Sequence, residues 1–271
     1  VKYFKHDIKG AEVNLYPLVC WHIGSPQSDL GFIEQVIKRV KNDPLARWLY
    51  LGDGGECATK HSKGDIYSQT LSPTQQQNRL VDLLKPIVGK GLFGIRGNHG
   101  NRIYKETGLD FDETLLAKLG LPYLGVAAFW HLNLHHTDRV VPFSIFAHHG
   151  VDSGVSFGTK VNKAKAFETQ INADAILTAH SHIAVDLPPR YMASLRPNNS
   201  TINTDPVYWS ATHEYVCGSA YDSRSGYAEE KGYPPLLPSH LVIKFKVVRS
   251  DRGGITQRLR QQSSEIIRKE I

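Results

Sequence analysis

Five short apolar runs in this chain each end in a tight polar turn rich in metal-ligand residue types. Val13 to Val19 leads into Cys20-Trp21-His22-Ile23-Gly24, and Trp48 to Leu51 into Gly52-Asp53-Gly54-Gly55-Glu56. Leu92 to Ile95, then Arg96, leads into Gly97-Asn98-His99-Gly100. Val140 to Ala147 leads into His148-His149-Gly150, and Ala173 to Thr178 into Ala179-His180-Ser181-His182. Short apolar runs bounded by turn residues read as buried strands, and the polar clusters as loops at their carboxyl ends. Taken singly each cluster is weak, because a lone His after a strand is most often structural and a lone Gly-Asp is usually a turn. Taken together they demand a fold in which several strand ends meet, and in α/β sheets ligands collect beyond those ends.

Between the runs the pattern is helical. Ile33, Val36, Ile37 and Val40 place a helix over Leu30–Lys41 with an apolar stripe for a sheet. Ser72-Pro73-Thr74-Gln75 starts another, with Ser as cap, Pro at the first helical position and Gln three residues on; Leu80, Leu83, Leu84 and Ile87 form its apolar face. Asp112–Leu119 reads as a short helix closed by Gly120 and Pro122, and Thr159–Gln170 as a fourth. Tyr123–Leu134 reads as a strand bent at Gly125. Residues 1–11 are expected to be an irregular lead-in, and 54–71, with Lys60, His61 and Lys63, a long loop of the kind that is usually functional or mobile. Beyond His182 prolines are frequent, and strand-like pieces at Thr201–Asn203, Val207–Val216 and Leu241–Val248 point to a second, more antiparallel sheet. The charged tail after Ser250 is expected to be exposed. No repeat or linker interrupts the chain, so a single domain over 1–271 is expected, with a ligand-bearing core over about 13–185. Alternating strands and helices followed by strands give an α/β sandwich with a pair of mixed sheets.

Bulk properties narrow the setting. At 271 residues and 41% hydrophobic content the chain sustains a sizeable core and is not disordered. No apolar run approaches bilayer-spanning length, so no membrane partner is expected. Val1 to His6 is not followed by an apolar h-region, so no signal peptide is expected. Cys20, Cys57 and Cys217 are too few for a disulfide framework and favour a reducing, cytoplasmic compartment. A net charge of +6, from 32 basic and 26 acidic residues, tilts toward an anionic partner, nucleic acid included. No oligomeric state is read from it.

The strand-end residues Cys20, His22, Asp53, Asn98, His149, His180 and His182 offer thiolate, imidazole, carboxylate and amide oxygen, a donor set that suits Mn, Zn or Fe. One carboxylate among neutral ligands is a natural bridge, since each oxygen can face its own cation. Two cations roughly 3.5–4 Å apart clamp the attacking and leaving oxygens of a phosphoryl transfer and deprotonate a water near neutral pH.

As a set these motifs resemble the calcineurin-like metallophosphoesterase superfamily, whose series runs Asp-x-His, Gly-Asp, Gly-Asn-His-(Asp/Glu), a strand-end His and Gly-His-x-His. The matching segments here are Cys20-x-His22, Gly52-Asp53, Gly97-Asn98-His99, His148-His149-Gly150 and His180-Ser181-His182. The stretch Tyr227-Ala228-Glu229-Glu230-Lys231-Gly232-Tyr233-Pro234-Pro235 is similar to phage-encoded members, which would act in a host cytoplasm. The resemblance implies a four-layer α/β/β/α sandwich with two mixed sheets and two divalent transition-metal ions. It assigns Cys20, His22, Asp53 and His182 to one ion, and Asp53, Asn98, His149 and His180 to the other. His99 is then the group that touches the phosphate and protonates the leaving oxygen. Arg96 or Arg102 would pair with a phosphate oxygen, or be plain surface residues. Of His148 and His149, the one directly before Gly is the expected ligand, leaving His148 to point into the sheet or line the pocket.

The sequence departs from that pattern at three positions. Cys20 replaces Asp, as in the lariat-debranching branch; a thiolate shifts preference toward Zn or Fe and weakens the first site, unless Cys20 is just a small buried residue. Gly100 replaces the acid that follows Gly-Asn-His and orients the histidine, a task open to another carboxylate such as Glu56. Ala179 replaces Gly. Cys57 would disable the Cys20 thiolate in a disulfide, which a reducing compartment opposes. The expected activity is metal-dependent hydrolysis of a phosphodiester, nucleic acid among the candidates, by attack of metal-bound hydroxide. The alternatives are a phosphomonoesterase, or a non-catalytic scaffold on the same fold.

Overall fold

A computed structural model describes residues 1–62, 66–137, 139–150, 154–195, 207–252 and 255–269. Its strands are β1 (Lys2–Lys9), β2 (Glu12–Leu18), β3 (Ala46–Tyr50), β4 (Gly91–Gly94), β5 (Ala127–His136), β6 (Arg139–His148), β7 (Ala175–Thr178), β8 (Ala184–Leu195), β9 (Val207–Ser219), β10 (Ser239–Arg252) and β11 (Ile255–Arg268). Its helices are α1 (Leu30–Asn42), α2 (Pro73–Leu84), α3 (Gly100–Thr107), α4 (Phe111–Leu119), α5 (Phe157–Lys165) and α6 (Tyr227–Glu230). Among the described residues no helix is long and apolar enough to cross a membrane.

Local chemistry accounts for the helices. The Asp29 side chain caps α1 through the Phe32 N–H, and Phe32, Ile33, Val36, Ile37 and Val40 are its buried stripe. Ser72 and Gln75 form a reciprocal capping box on α2, with Pro73 in the first turn. Asp110 caps α4 by accepting from the Asp112 and Glu113 N–H groups, and Gly120 ends it at φ 68°. Helix α3, unforeseen in the sequence, is short and polar, has no side-chain cap, and begins on the poor helix former Gly100.

The strands form one mixed hydrogen-bonded path, β1-β5-β6-β7-β9-β10-β2-β3-β4, with β8 beside β9 and β11 beside β10. Among the described residues its two halves join through two residue pairs, Ser219↔Ser239 and Gly218↔His240. β6, β7 and β9 are mutually parallel, as are β2, β3 and β4. β10 is antiparallel to both β9 and β2, and two reversals restore direction. All six strands therefore deliver their carboxyl ends to one edge.

Side-chain alternation divides the core. On β2, Val13 and Leu15 face one cluster and Tyr16 and Leu18 another; on β3, Leu49 faces the first and Trp48 and Tyr50 the second. The first cluster joins these residues to Trp130, Phe143, Ile145 and Tyr215 from the other half of the path. The second lies under α1, α2 and α4. Two smaller clusters, around Phe146 with Phe167 and around Ala164 with Val216, lie on the α5 side.

Several sequence expectations are corrected here. β1 stands in place of an irregular lead-in: it pairs in parallel with β5 throughout its length, and Phe4 packs on Phe93 with ring centroids 5.1 Å apart. Its period-two alternation is masked by lysines on the outer face. The late strands do not make a sheet of their own, since β9 joins β7 and β10 joins β2. β8 carries Pro188 and Pro189, and the pairing register shifts between Leu187 and Arg190 to admit them. The tail keeps Gln261, Ser263 and Arg268 exposed but is an ordered strand: β11 pairs with β10 over Ile255–Arg268, and Arg39 meets Glu265 at 2.7 Å. The strand expected at Thr201–Asn203 lies outside the described residues.

Ile267, at the far end of β11, is 5% exposed and packs under α1. Ile267→Ala should therefore lower stability by about 2–4 kcal/mol in urea denaturation, whereas a loose tail would register no change.

Candidate metal centre

Beyond the shared edge, backbone hydrogen bonds keep the ligand-bearing turns together. Cys20 and His22 N–H groups donate to the Gly52 and Asp53 carbonyls at 3.1 Å each, and Ala179 N–H donates to the His149 carbonyl at 3.0 Å. Ala220, just after β9, donates to the Cys20 carbonyl at 3.1 Å, as does the Ser219 hydroxyl at 2.8 Å. Cys20, His22, Asp53, His180 and His182 all have positive φ, between 50° and 63°. Left-handed backbone at a non-glycine residue stores strain on the order of 1 kcal/mol or more, and such strain gathers at functional sites. Beneath them two glycines touch: a Cβ on Gly52 (φ 92°) would stand 2.4 Å from Gly97 Cα, and one on Gly97 would stand 2.1 Å from Asp53 Oδ1.

The side chains converge on Asp53, which is fully buried. Its Oδ1 accepts the His99 N–H at 2.8 Å. Its Oδ2 makes no hydrogen bond and lies 2.9 Å from His149 Nε2. The same Nε2 is 2.9 Å from Asn98 Oδ1, while His149 Nδ1 donates to the Leu51 carbonyl at 2.6 Å. With the ring proton held on Nδ1, the Nε2 lone pair faces two oxygens, an arrangement that calls for a cation or a second ring proton. Nearby, His22 Nε2 and His182 Nε2 stand 3.1 Å apart, and His22 Nδ1 meets Glu56 Oε2 at 3.2 Å. Three triads each bring their ligand atoms within 4.8 Å of one another: Cys20, His22, His182; Cys20, Asp53, His149; and His22, Asp53, His99. His180 is in none of them, but its ring lies 5.4 Å from that of His149.

Electrostatics follow from burial and from these neighbours. Burial opposes the Asp53 charge, yet His149 and His99 hold its carboxyl well below the usual range. Against burial, Asp53 raises the His149 imidazole. Burial and the neighbouring His22 and His180 drive His182 well down, so it is neutral and free to ligate. Burial, then Asp53, push the Cys20 thiol well up. All three cysteines are free thiols, so Cys57 does not block Cys20.

His99 sits beside this group, its ring 4.4 Å from that of His22. Its Nδ1 is 2.7 Å from the Glu56 carbonyl and 3.6 Å from Glu56 Oε2, and its Nε2 is 2.9 Å from Arg102 Nη2. The assignment that satisfies both contacts puts the proton on Nδ1 and makes Nε2 an acceptor. Burial lowers the imidazole to about 4, so this arrangement leaves no proton on Nε2 near neutral pH. Glu56, which also meets Arg102 Nη1 at 3.5 Å, is the carboxylate next to His99 in the absence of an acid at position 100.

The remaining candidates are placed elsewhere. Arg96 is occupied by Asp110, by Tyr123 Oη at 3.0 Å and by Asn101 Oδ1 at 3.2 Å, and it lies over the Tyr104 ring. A guanidinium engaged in this way is tying β4 to α3 and α4 rather than waiting for a phosphate. His148 accepts the Gly150 N–H at 2.8 Å and packs on Phe167, with burial lowering it to about 4. His149, not His148, is the histidine at Asp53. Sequence reasoning missed Tyr221, whose ring lies 5.3 Å from His22 and 5.4 Å from His182. The available signal was that Val207–Val216 is a sixth strand whose end reaches the same edge.

The donor set fits divalent metal. Buried nitrogen, sulfur and oxygen atoms converge, one carboxylate oxygen has no hydrogen bond, and two imidazole nitrogens face each other.

No protein-family model matches the chain, and no curated protein matches it. Among solved structures it is similar to Vacuolar Protein Sorting 29 from Cryptosporidium parvum, at 13% identity over 94% of this chain and 100% of that one, with a TM-score of 0.41. It is similar to the NAD nucleotidase NadN of Haemophilus influenzae at 12% identity, covering 96% of this chain and 51% of that one, with a TM-score of 0.40. A serine/threonine phosphatase of Saccharomyces cerevisiae matches at 12% identity over 88% and 75% of the two chains, with a TM-score of 0.30. These are distant likenesses in the course of the chain, and none fixes a function.

Gly97→Ala should keep the fold but displace Asp53, so metal content by plasma mass spectrometry should fall while far-ultraviolet circular dichroism holds. Cys20 must shed its proton to ligate, and its pKa is raised. Metal affinity should therefore increase with pH by about tenfold per unit for that one proton. In Cys20→Asp, whose replacement has an ordinary pKa of about 4, the slope should flatten between about pH 6 and 8. Zinc titrations against a competing chelator measure both slopes.

Proposed function

We propose that this protein is a metal-dependent phosphoesterase acting on phosphodiesters, nucleic acid among them. One observation carries the reading: Cys20, Asp53 and His149 bring ligand atoms within 4.8 Å of one another, as do Cys20, His22 and His182, and the buried Asp53 Oδ2 makes no hydrogen bond. With Cys20 in place of the usual Asp, these residues belong to the motifs by which the sequence resembles calcineurin-like metallophosphoesterases. The division of the core into an inner cluster and outer clusters under helices supports the four-layer α/β/β/α arrangement, with the two halves of the strand path as its inner layers. The sparse, unpaired cysteines support a reducing compartment, and Tyr227–Pro235 a phage-encoded chain working in a host cytoplasm.

Cys20, His22, Asp53 and His182 would hold one divalent ion, and Asp53, Asn98, His149 and His180 a second. Bound there, the ions supply Lewis acidity toward phosphoryl oxygens and a water that deprotonates near neutral pH. The chain does the rest. Leu51 and Glu56 fix the ring orientations of His149 and His22. Arg102, at the rim beside His99, supplies a permanent positive charge and a planar fork for two phosphate oxygens. When Arg102 turns to the phosphate it frees His99 Nε2, whose lone pair gives no proton to the leaving oxygen until the ring takes up a second one. Asp53 and Glu56 favour a proton on His99 and burial opposes it. The positive net charge favours an anionic substrate.

With Mn, Zn, Fe, Ni or Mg added, the protein should hydrolyse bis-p-nitrophenyl phosphate faster than p-nitrophenyl phosphate. Asp53→Ala should abolish turnover, and Arg102→Ala should lower kcat/KM by on the order of tenfold to a hundredfold, the worth of one charge-assisted contact. Faster monoester turnover would move the reading to a phosphomonoesterase. No turnover of either ester by metal-loaded protein would overturn the enzyme reading in favour of a scaffold.

A further inference from the structure

Asp112 on α4 hydrogen-bonds none of the candidate ligand side chains, yet it is fully buried and bonded toward two of their loops. Its Oδ1 accepts the Tyr50 hydroxyl at 2.6 Å, and the Tyr50 oxygen in turn accepts the Gly54 N–H at 2.8 Å. Its Oδ2 accepts the Gly97 N–H at 3.0 Å. Gly54 follows Asp53 directly, and Gly97 directly precedes Asn98. One carboxylate therefore spans the loops that carry the two oxygen ligands of the centre.

The helix has no need of that carboxylate, because Asp110 caps α4. Nor is it a space filler: a buried carboxyl costs more than an apolar side chain of its size unless its hydrogen bonds return the cost. The room it occupies exists because residue 100 has no side chain. A Cβ on Gly100 would stand 2.3 Å from Asp112 Oδ2 and 3.0 Å from its Cγ. Position 100, where the sequence pattern expects an acid, and the Asp112 carboxylate compete for the same space.

We propose that Asp112 is a positioning residue that sets the separation of Asp53 and Asn98, its carboxylate standing in the space that a side chain at position 100 would fill. The proposal rests on the metal centre described above. It makes Gly100 a requirement: any larger residue there expels Asp112, and both loops lose their common anchor.

The test is zinc affinity, measured with a competing chelator on the full chain, alongside thermal unfolding. Asp112→Asn offers an amide N–H to a backbone donor and loses one of the two links; Tyr50→Phe breaks the link to Gly54 alone. Both should weaken zinc binding by about 10–100-fold, the usual worth of a group that orients a ligand. Gly100→Asp should do the same. Gly100→Asp combined with Asp112→Ala should bind more tightly than Asp112→Ala alone, since a carboxylate returns to the vacated space. Ile267→Ala, which is neither a candidate ligand nor a hydrogen-bond partner of Asp112, controls for lost stability and should keep wild-type affinity. Wild-type affinity in both Asp112→Asn and Tyr50→Phe would overturn the proposal. So would an equal loss of affinity in Ile267→Ala at matched melting temperature. Failure of the wild-type protein to bind zinc would instead sink the metal centre itself, and this inference with it.

Discussion

Asp53 is a fully buried carboxylate set among imidazoles, and its charge is what the molecule must accommodate. Desolvating a carboxylate costs several kcal/mol, and the cost is recovered only with near-ideal partners. The His99 N–H and the His149 ring provide two. The remaining capacity of Oδ2 is left open to a cation. To bring those partners in, the turn after β3 and the turn after β4 must pack backbone against backbone, which glycine at 52 and 97 permits. Parallel pairing of β3 with β4 sets those turns side by side, and the double reversal through β10 sets the His149 turn across from them. The fold can thus be read as the means of holding several polar turns close enough to share one charge.

Much of the site was legible in the sequence for this reason. A ligand turn needs a short apolar strand before it, and Leu92–Ile95 or Ala173–Thr178 announce one plainly. The α2 capping box and the apolar stripe of α1 are equally local signals and were equally readable. What stayed hidden depends on partners far along the chain. β1 and β11 look polar because one face of each meets water, and only their pairing with β5 and β10 shows the other face to be useful. Tyr221 carries no motif; it reaches His22 and His182 because β9 is parallel to β7. Arg96 beside Gly97-Asn98-His99 looked available, but Asp110 and Tyr123, more than ten residues on, had already engaged it.

The protonation pattern has a common cause in burial. His99 and His182 are both lowered by desolvation, so both present lone pairs near neutral pH. Desolvation acts on the Cys20 thiol in the opposite sense and keeps it protonated. The centre is thus rich in neutral donors around one fixed negative charge. Such a set favours a dication that brings its own charge, and the Cys20 proton, with any second proton that Asp53 draws onto the His149 ring, must leave when the ion enters.

Holding neutral donors close together without an ion requires support from outside the donor set, because lone pairs that face one another repel. Here the support comes from backbone carbonyls and carboxylates one layer further out. The Leu51 carbonyl holds His149, Glu56 holds His22 and stands against His99, and Asp112 ties the turns that carry Asp53 and Asn98. Each carboxylate in that layer is anchored on an element other than the one that carries the ligand it serves. A slip of either turn would then have to break bonds to a separate helix or loop as well as its own. That redundancy supports His22 and Asp53, two of the ligands held in left-handed backbone.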